Sequence, residues 1–181
     1  MSDIRDILDF WFAPANKPRW FKREDAFDDE IRRRFEAVHE RAAAGKLAAW
    51  QNTPEGALAL VLCLDQFPRN IFRGTARAFA TDAKARAVAD WAVDRGFDLQ
   101  FKGDERFFFY LPFEHSEELD DQHRCVELLR TRLPDPELLR YAVAHRDLIE
   151  KFGRFPHRNP ILGRRSTPDE EEYLKQPGAG F

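Results

Sequence analysis

The stretch Thr53-Pro54-Glu55-Gly56-Ala57-Leu58-Ala59-Leu60-Val61-Leu62-Cys63-Leu64 decides the fold class of this chain. It opens with a threonine and a proline, the residue types that favour the N-cap and the first position of an α-helix. From Ala57 to Leu64 every residue is apolar, so a helix here has no polar face to turn toward water. The sequence therefore predicts a central, buried helix against which the other segments pack.

Helix signals recur on both sides of this stretch, and no alternation of period two is sustained beyond a few residues. Besides the central helix, the patterns predict helices over residues 4–11, 24–44, 81–95, 116–133, 135–152 and from 168 onward, with a short aromatic helical turn at 105–111. Helices joined by short turns favour antiparallel neighbours. We therefore expect an all-α single domain over residues 1–181, made of stacked antiparallel helical hairpins. Its C-terminal segment, 153–181, should be largely irregular and pack back on the helices.

Composition narrows the class of protein. The chain carries 29 basic and 32 acidic side chains, a formal net charge of −3, so the basic excess typical of nucleic-acid binding is missing. Cys63 and Cys125 lie inside apolar helical runs, which favours buried thiols in a reducing compartment. No apolar run is long enough to span a membrane, and the N-terminus is polar. The sequence predicts a cytoplasmic protein whose partners include neither membrane nor nucleic acid.

Two segments share an unusual composition. Residues 67–74 and 155–164 each contain Phe-Pro, an Arg-Asn pair, an isoleucine and a further arginine. Guanidinium groups bind carboxylates and phosphates through paired hydrogen bonds, and an asparagine amide can orient such a ligand. We therefore expect both segments to line one cavity for a small anionic molecule or a peptide. The candidate ligand-binding residues are Asp65, Arg69, Asn70, Arg73, Glu114, Arg154, Arg158 and Asn159.

Structural alternatives exist for both segments. Asp65 falls at the predicted C-terminal end of the central helix, where the helix dipole disfavours a carboxylate by about 0.3–1 kcal/mol. A neighbouring arginine would offset that cost, and the pair could simply brace two helix ends. Similarly, the arginines of 154–165 could form a solvated basic loop balanced by the acidic run 169–172.

Histidines sharpen the ligand-site hypothesis. His145 follows the apolar stripe of its helix, with Ala142 and Ile149, and should point inward; the pattern around His123 predicts the same. His115 precedes a helix cap, and His157 lies beside arginines. With a normal pKa near 6.5, His115, His145 and His157 are the candidates for proton transfer. The alternative is that they are hydrogen-bonded core residues. No pair of histidines has helical metal-ligand spacing, so we expect neither a metal nor another cofactor.

The chain also resembles a known bacterial family, domain of unknown function 924. The resemblance rests on residues 64–74 (Leu-Asp-Gln-Phe-Pro-Arg-Asn-Ile-Phe-Arg-Gly), 78–82, 113–117 (Phe-Glu-His-Ser-Glu) and the run from His145 to Thr167. It covers most of the chain. It implies an all-α fold similar to tetratricopeptide-like helical arrays in a cytoplasmic bacterial protein. It supplies no established activity, substrate or cofactor.

Two functions remain open at this point. The first is a pocket of Arg, His and Asn side chains for a small phosphate- or carboxylate-bearing ligand, with or without catalysis. The second is a helical-hairpin scaffold that binds a peptide or a protein partner, in which the arginines are braces or peptide contacts.

Overall fold

Helices dominate the computed structural model, which describes residues 3–180. The α-helices are α1 (Asp3–Trp11), α2 (Asp25–Ala43), α3 (Pro54–Val61), α4 (Phe67–Ile71), α5 (Asp82–Asp94), α6 (Gly103–Phe108), α7 (Leu111–Glu114), α8 (Leu119–Arg132), α9 (Pro136–Phe152) and α10 (Pro168–Leu174). Residues 3–180 contain no β-strand. The prediction of an all-α fold is confirmed. Within the same residues, no helix is both long and apolar enough to cross a bilayer.

The chain divides into two compact units. The N-terminal unit comprises Met1–Arg73 and Arg77–Pro112, and the C-terminal unit comprises Gly74–Ala76 and Phe113–Phe181. In the N-terminal unit, α3 packs against α1 and α5, while α2 packs against α4. In the C-terminal unit, α8 packs against α9. The single-domain organisation and the tetratricopeptide-like arrangement stay predictions.

The central apolar stretch departs from the predicted single helix at its C-terminal end. A π-helical turn, Leu62–Gln66, follows α3 and leads directly into α4. Pro68 explains this wider turn, because proline has no N–H for the carbonyl of Leu64 and its ring clashes with that carbonyl in a regular α-helix. The prediction that the helix ends at Asp65 is therefore wrong. Asp65 lies inside a continuous helical path, away from the dipole of a helix terminus.

Side chains supply hydrogen bonds to three successive carbonyls of the π turn. The N–H of Phe67 bonds to the Leu62 carbonyl, and Pro68 has no N–H to offer. The carbonyl of Cys63 accepts from His39 Nδ1 at 2.8 Å, and that of Leu64 from Thr81 Oγ1 at 2.5 Å. The third, of Asp65, accepts from Arg69 Nη1 at 2.5 Å. Because buried carbonyls need donors, these side chains stabilise the irregular turn.

Gly56, in the first turn of α3, is a glycine that the packing requires. A Cβ added there would lie 2.1 Å from the Trp50 carbonyl oxygen. Replacing a helical glycine by alanine ordinarily stabilises a protein by about 0.5–1 kcal/mol. Here we expect Gly56→Ala to lower the free energy of unfolding by about 1–3 kcal/mol, since backbone must move to make room. Urea unfolding followed by circular dichroism measures this change.

A control for Gly56→Ala is Glu55→Ala, at the exposed neighbouring position of the same turn. We expect this variant to stay within about 0.5 kcal/mol of the wild type. A Gly56→Ala variant at least as stable as the wild type would contradict the steric argument.

The end of the chain follows the sequence signals closely. Gly153 has a left-handed conformation (φ 68°) and ends α9, as predicted. Thr167 and Glu170 form the predicted capping box at the start of α10. Between Gly153 and Thr167, Phe155 is fully buried against Leu148 and Ile149 of α9. This packing fixes the irregular segment that carries the candidate residues 154–164.

Candidate functional site

Arg69 in the N-terminal unit lies between two carboxylates. Its Nη1 is 3.2 Å from Asp65 Oδ1, and two of its nitrogens bond to the two oxygens of Asp82 at 2.9 and 3.0 Å. Burial acts to lower the pKa of Arg69, but the charges of Asp65 and Asp82 outweigh it and the pKa is raised. The arginine partner expected for Asp65 is therefore Arg69. This geometry matches the alternative of an internal brace.

Asn70 and Arg73 share a carboxylate that the sequence interpretation did not include. Asn70 Nδ2 donates to Asp28 Oδ1 at 2.8 Å. Arg73 grips the same carboxylate with Nε at 2.6 Å and Nη2 at 2.9 Å. Asp28 is buried on α2, seven residues before Phe35, so the apolar stripe of that helix contained the signal that could have identified it.

Arg154, just before the second segment, and Arg164 within it are also paired with carboxylates. Arg154 bonds to the buried carboxylate of Glu170 through Nε (2.6 Å) and Nη2 (2.8 Å). Arg164 bonds to both oxygens of Glu117, at 2.6 and 3.0 Å. Each pair is a forked, bidentate contact within the C-terminal unit. A ligand that uses either guanidinium fork would have to displace a carboxylate.

Asn159 is held entirely by its own unit. It is fully buried. Its Nδ2 donates to Ser166 Oγ at 3.0 Å and to Glu170 Oε2 at 3.2 Å, and its Oδ1 accepts from Arg164 Nε at 2.9 Å. These bonds engage both ends of the amide, so Asn159 ties the segment to α10. A direct role in orienting a ligand stays a prediction.

Two histidines and one arginine contact one buried ring, that of Phe155. The ring centroid of His145 and that of His157 each lie 5.6 Å from the ring centroid of Phe155. Arg158 Cζ lies 4.6 Å from the same centroid. We call His145, Phe155, His157 and Arg158 the Phe155 cluster. His145 and Arg158 are each only 7% exposed. The cluster brings together two of the three predicted histidines and one predicted arginine.

His145 connects the Phe155 cluster to buried acidic and thiol groups. Its Nδ1 donates to the Tyr141 carbonyl at 2.9 Å and lies 3.5 Å from Glu114 Oε1. Since a carbonyl only accepts, Nδ1 carries the proton, and Nε2 is the acceptor of the neutral ring. Cys125 Sγ is 3.9 Å from Glu114 Oε2, and burial raises the pKa of this thiol well above its ordinary value. Cys125 is thus a neutral core thiol.

The structure corrects the expected pKa of two histidines. Burial lowers the pKa of His145 to about 3, with smaller effects from His115, His157 and Arg158. Burial, followed by the charge of Arg158, lowers the pKa of His157 to about 4. Both imidazoles are therefore neutral at pH 7. A general base works best with a pKa near the operating pH, so neither matches the value of about 6.5 that motivated the proton-transfer hypothesis.

The predicted inward position of His145 is confirmed, but that of His123 is wrong. The His123 side chain is 54% exposed and its Nε2 lies 3.2 Å from Glu150. The buried face of α8 instead comprises Gln122, Cys125, Val126, Leu128 and Leu129. Sequence reasoning also missed His39, which is buried in α2 beside the π turn.

Two further features bear on ligand binding. Within residues 3–180, no group of three or more His, Cys, Asp or Glu side chains is arranged to hold a metal ion. An open depression of about 380 Å³ in the C-terminal unit is lined by Lys151, Phe152, Arg154, Thr167, Asp169 and Glu170. Its lining carries both signs of charge, so it has no clear preference for an anion. Residues 65–73 belong to one unit and 154–164 to the other, and their predicted convergence stays a prediction.

Comparisons with known proteins agree with the resemblance noted from the motifs. A solved structure of a protein of unknown function from Agrobacterium tumefaciens is similar to this chain, with a TM-score of 0.91 and 46% sequence identity, over 96% of this chain and 97% of that one. No match was found among curated proteins. The model of the family described as "Bacterial protein of unknown function (DUF924)" matches residues 7–178. The chain therefore belongs to the DUF924 family.

Proposed function

We propose that this protein binds a small phosphate- or carboxylate-bearing molecule at the Phe155 cluster of its C-terminal unit. The observation that carries the proposal is the contact of His145, His157 and Arg158 with the single buried ring of Phe155. A helical hairpin does not need two imidazoles and a guanidinium beside one buried ring for its stability, because burying polar and charged side chains costs free energy. The cytoplasmic location expected from composition is part of this proposal.

The groups of the cluster suit an oxyanion. The guanidinium of Arg158 supplies N–H donors with a fixed positive charge. His157 is neutral at pH 7 and has one N–H donor and one acceptor nitrogen. The Nε2 of His145 is an acceptor, since its Nδ1 donates to Tyr141. An acceptor beside donors matches hydrogenphosphate, which carries an O–H as well as negatively charged oxygens.

The geometry favours binding over proton transfer by these residues. A protonated His145 or His157 would add positive charge to a buried site that already contains Arg158, which is one reason the pKa of each is lowered. At pH 7 both rings serve as hydrogen-bonding groups with a defined neutral state. His115 stays a candidate for proton transfer on sequence grounds.

Isothermal titration calorimetry with inorganic phosphate and with succinate tests the proposal, against sodium chloride at matched ionic strength. We expect wild-type protein to bind one of the two anions, and His157→Gln to bind it at least about tenfold more weakly. A tenfold change corresponds to about 1.4 kcal/mol, close to the lower end of the range for one charge-assisted hydrogen bond.

Arg165→Gln provides the matched control, because Arg165 is an exposed arginine of the same segment. Its affinity should equal that of the wild type. Absence of binding by the wild type, or equal affinities in wild type and His157→Gln, would reject the Phe155 cluster as the ligand site.

One observation favours the second function, a scaffold for a peptide or protein partner. Three of the four arginines predicted to bind a ligand, Arg69, Arg73 and Arg154, already pair with carboxylates of their own unit, and so does the neighbouring Arg164. Such pairs hold irregular segments in place, as a rigid binding surface requires. A stoichiometric partner recovered from bacterial lysate, together with no calorimetric response to either anion, would favour this function.

A further inference from the structure

The last described residues of the chain pass directly over His157. A Cβ added to Gly180 would lie 2.9 Å from His157 Cβ and 3.1 Å from Cγ. Side chains almost never approach this closely, so the backbone can rest against the imidazole only because residue 180 is a glycine. Gly180 also has a positive φ of 88°, a conformation that glycine adopts without strain.

A tyrosine anchors this contact to the core of the unit. The N–H of Gly180 donates to the Tyr173 hydroxyl at 3.3 Å. The Tyr173 ring packs against Phe152 with centroids 5.4 Å apart, at the edge of the core formed by Leu148, Ile149 and Phe155. The terminal segment is therefore positioned by the same core that holds the Phe155 cluster.

We infer that residues 176–180 form a strap, seated by the contact of Gly180 with His157, that closes one side of the Phe155 cluster and lifts to admit a ligand. The role in ligand entry rests on the proposed function. The closed strap itself rests on the geometry of Gly180, His157 and Tyr173.

The composition of the strap suits reversible opening. Its sequence, Gln176-Pro177-Gly178-Ala179-Gly180, contains no large apolar side chain. Burial of apolar surface therefore contributes little to the stability of the closed strap. Segments with few buried apolar contacts open locally at low free-energy cost. The charged or titratable groups that act on His157 are Arg158, Glu117, Arg164 and His115. Glu117 is paired with Arg164, so opening exposes His157 beside the guanidinium of Arg158, which attracts an anion.

Carbethoxylation by diethyl pyrocarbonate, followed by peptide mass spectrometry, measures the exposure of His157 without any ligand. The reagent attacks neutral imidazole, and His157 is already neutral at pH 7, so its rate reports access rather than protonation. The exposed His123 and the buried His39 serve as fast and slow internal references. In the wild type we expect His157 to react much more slowly than His123.

Gly180→Ala should lift the strap, because the added methyl overlaps the His157 side chain. We expect the rate at His157 to rise about fivefold or more, the factor produced by a shift of at least 1 kcal/mol in the opening equilibrium. Gly178→Ala is the matched control: φ is 79° there and a Cβ meets nothing within 4 Å. It carries a similar backbone strain without the overlap, so its rate should rise less.

If His157 of Gly180→Ala reacted at the wild-type rate, or at the same rate as in Gly178→Ala, the strap would be overturned.

Tyr173→Phe gives a second measurement, since it removes the hydrogen bond to Gly180 without changing the strap. This variant should also accelerate the reaction at His157. An unchanged rate would count against the anchor. None of these measurements uses a ligand, so failure of the strap is distinguishable from failure of anion binding in calorimetry.

Discussion

Replacing Glu170 by glutamine is expected to lower the free energy of unfolding by about 3–4 kcal/mol, because it breaks a buried ion pair. Glu170 is only 2% exposed. Its carboxylate accepts from both Nε and Nη2 of Arg154, from Asn159 Nδ2 and from the backbone N–H of Thr167. Neutralising it leaves the Arg154 guanidinium without its carboxylate and weakens the cap of α10. Urea unfolding at pH 7, followed by circular dichroism, measures the loss.

The control for Glu170→Gln is Glu172→Gln on the same helix. Glu172 is 72% exposed and pairs with the exposed Lys175. Exposed pairs contribute about 0–1 kcal/mol, so this variant should be close to the wild type. If Glu170→Gln cost no more than Glu172→Gln, the ion pair would not be a main support of the C-terminal segment.

Glu170→Gln should also change how the free energy of unfolding depends on pH. The hydrogen bond from Arg154, aided by that from Thr167 and by charge, lowers the pKa of Glu170 to about 2, against an ordinary value near 4.5. A carboxyl with a lowered folded-state pKa stabilises the protein fully above the unfolded pKa and loses that contribution as pH falls toward the folded one. The difference between wild type and Glu170→Gln should therefore be constant from pH 7 to about 5 and shrink between about pH 4.5 and 2. An unchanged difference at pH 3 would contradict the assignment.

Asp28→Asn is expected to destabilise the protein by about 3 kcal/mol, the lower end for breaking a buried ion pair. Asp28 is 5% exposed and receives two hydrogen bonds from Arg73 and one from Asn70. Asparagine has nearly the same shape as aspartate. The loss of stability therefore reports the missing negative charge and the replacement of one acceptor oxygen by an NH₂ group. Arg73 is about one-third exposed, and water recovers part of its solvation. The midpoint of urea unfolding should fall, with an unchanged slope.

The adjacent residue provides the control for Asp28→Asn. Asp29 is 73% exposed and pairs with Arg32 three residues along the same helix. Asp29→Asn should change the free energy of unfolding by less than about 1 kcal/mol. Equal effects of the two substitutions would show that the α2–α4 contact does not depend on the buried carboxylate.

The helices were predictable where local signals are strong. The Thr53-Pro54 start of α3, the Asp135-Pro136 start of α9, its glycine stop and the capping box of α10 all lie where the sequence indicated. Each depends on residues within one or two turns of each other, so it forms without help from distant contacts. The π turn at Leu62–Gln66 was not predicted, although Pro68 was its visible cause.

The candidate site was predictable in residue type and only partly in arrangement. The sequence singled out His145, His157 and Arg158, and the structure brings them around Phe155. It could not supply the carboxylates of Asp28 and Glu117, since Asp28 is 45 residues from Arg73 and Glu117 is 47 from Arg164. The similar segments 67–74 and 155–164 differ in conformation: α4 is helical, whereas Phe155 is extended and followed by a 3₁₀ turn.

The amino-acid sequence by itself determined an all-α chain, the starts of α3, α9 and α10 and the inward position of His145, because apolar periodicity and capping act over a few residues. The tertiary structure decided which arginines are neutralised, how far burial lowers the pKa of His145 and of His157, and that Gly180 lies over His157. These properties depend on which distant groups come within a few ångströms and exclude water, and no local pattern in the chain encodes that distance.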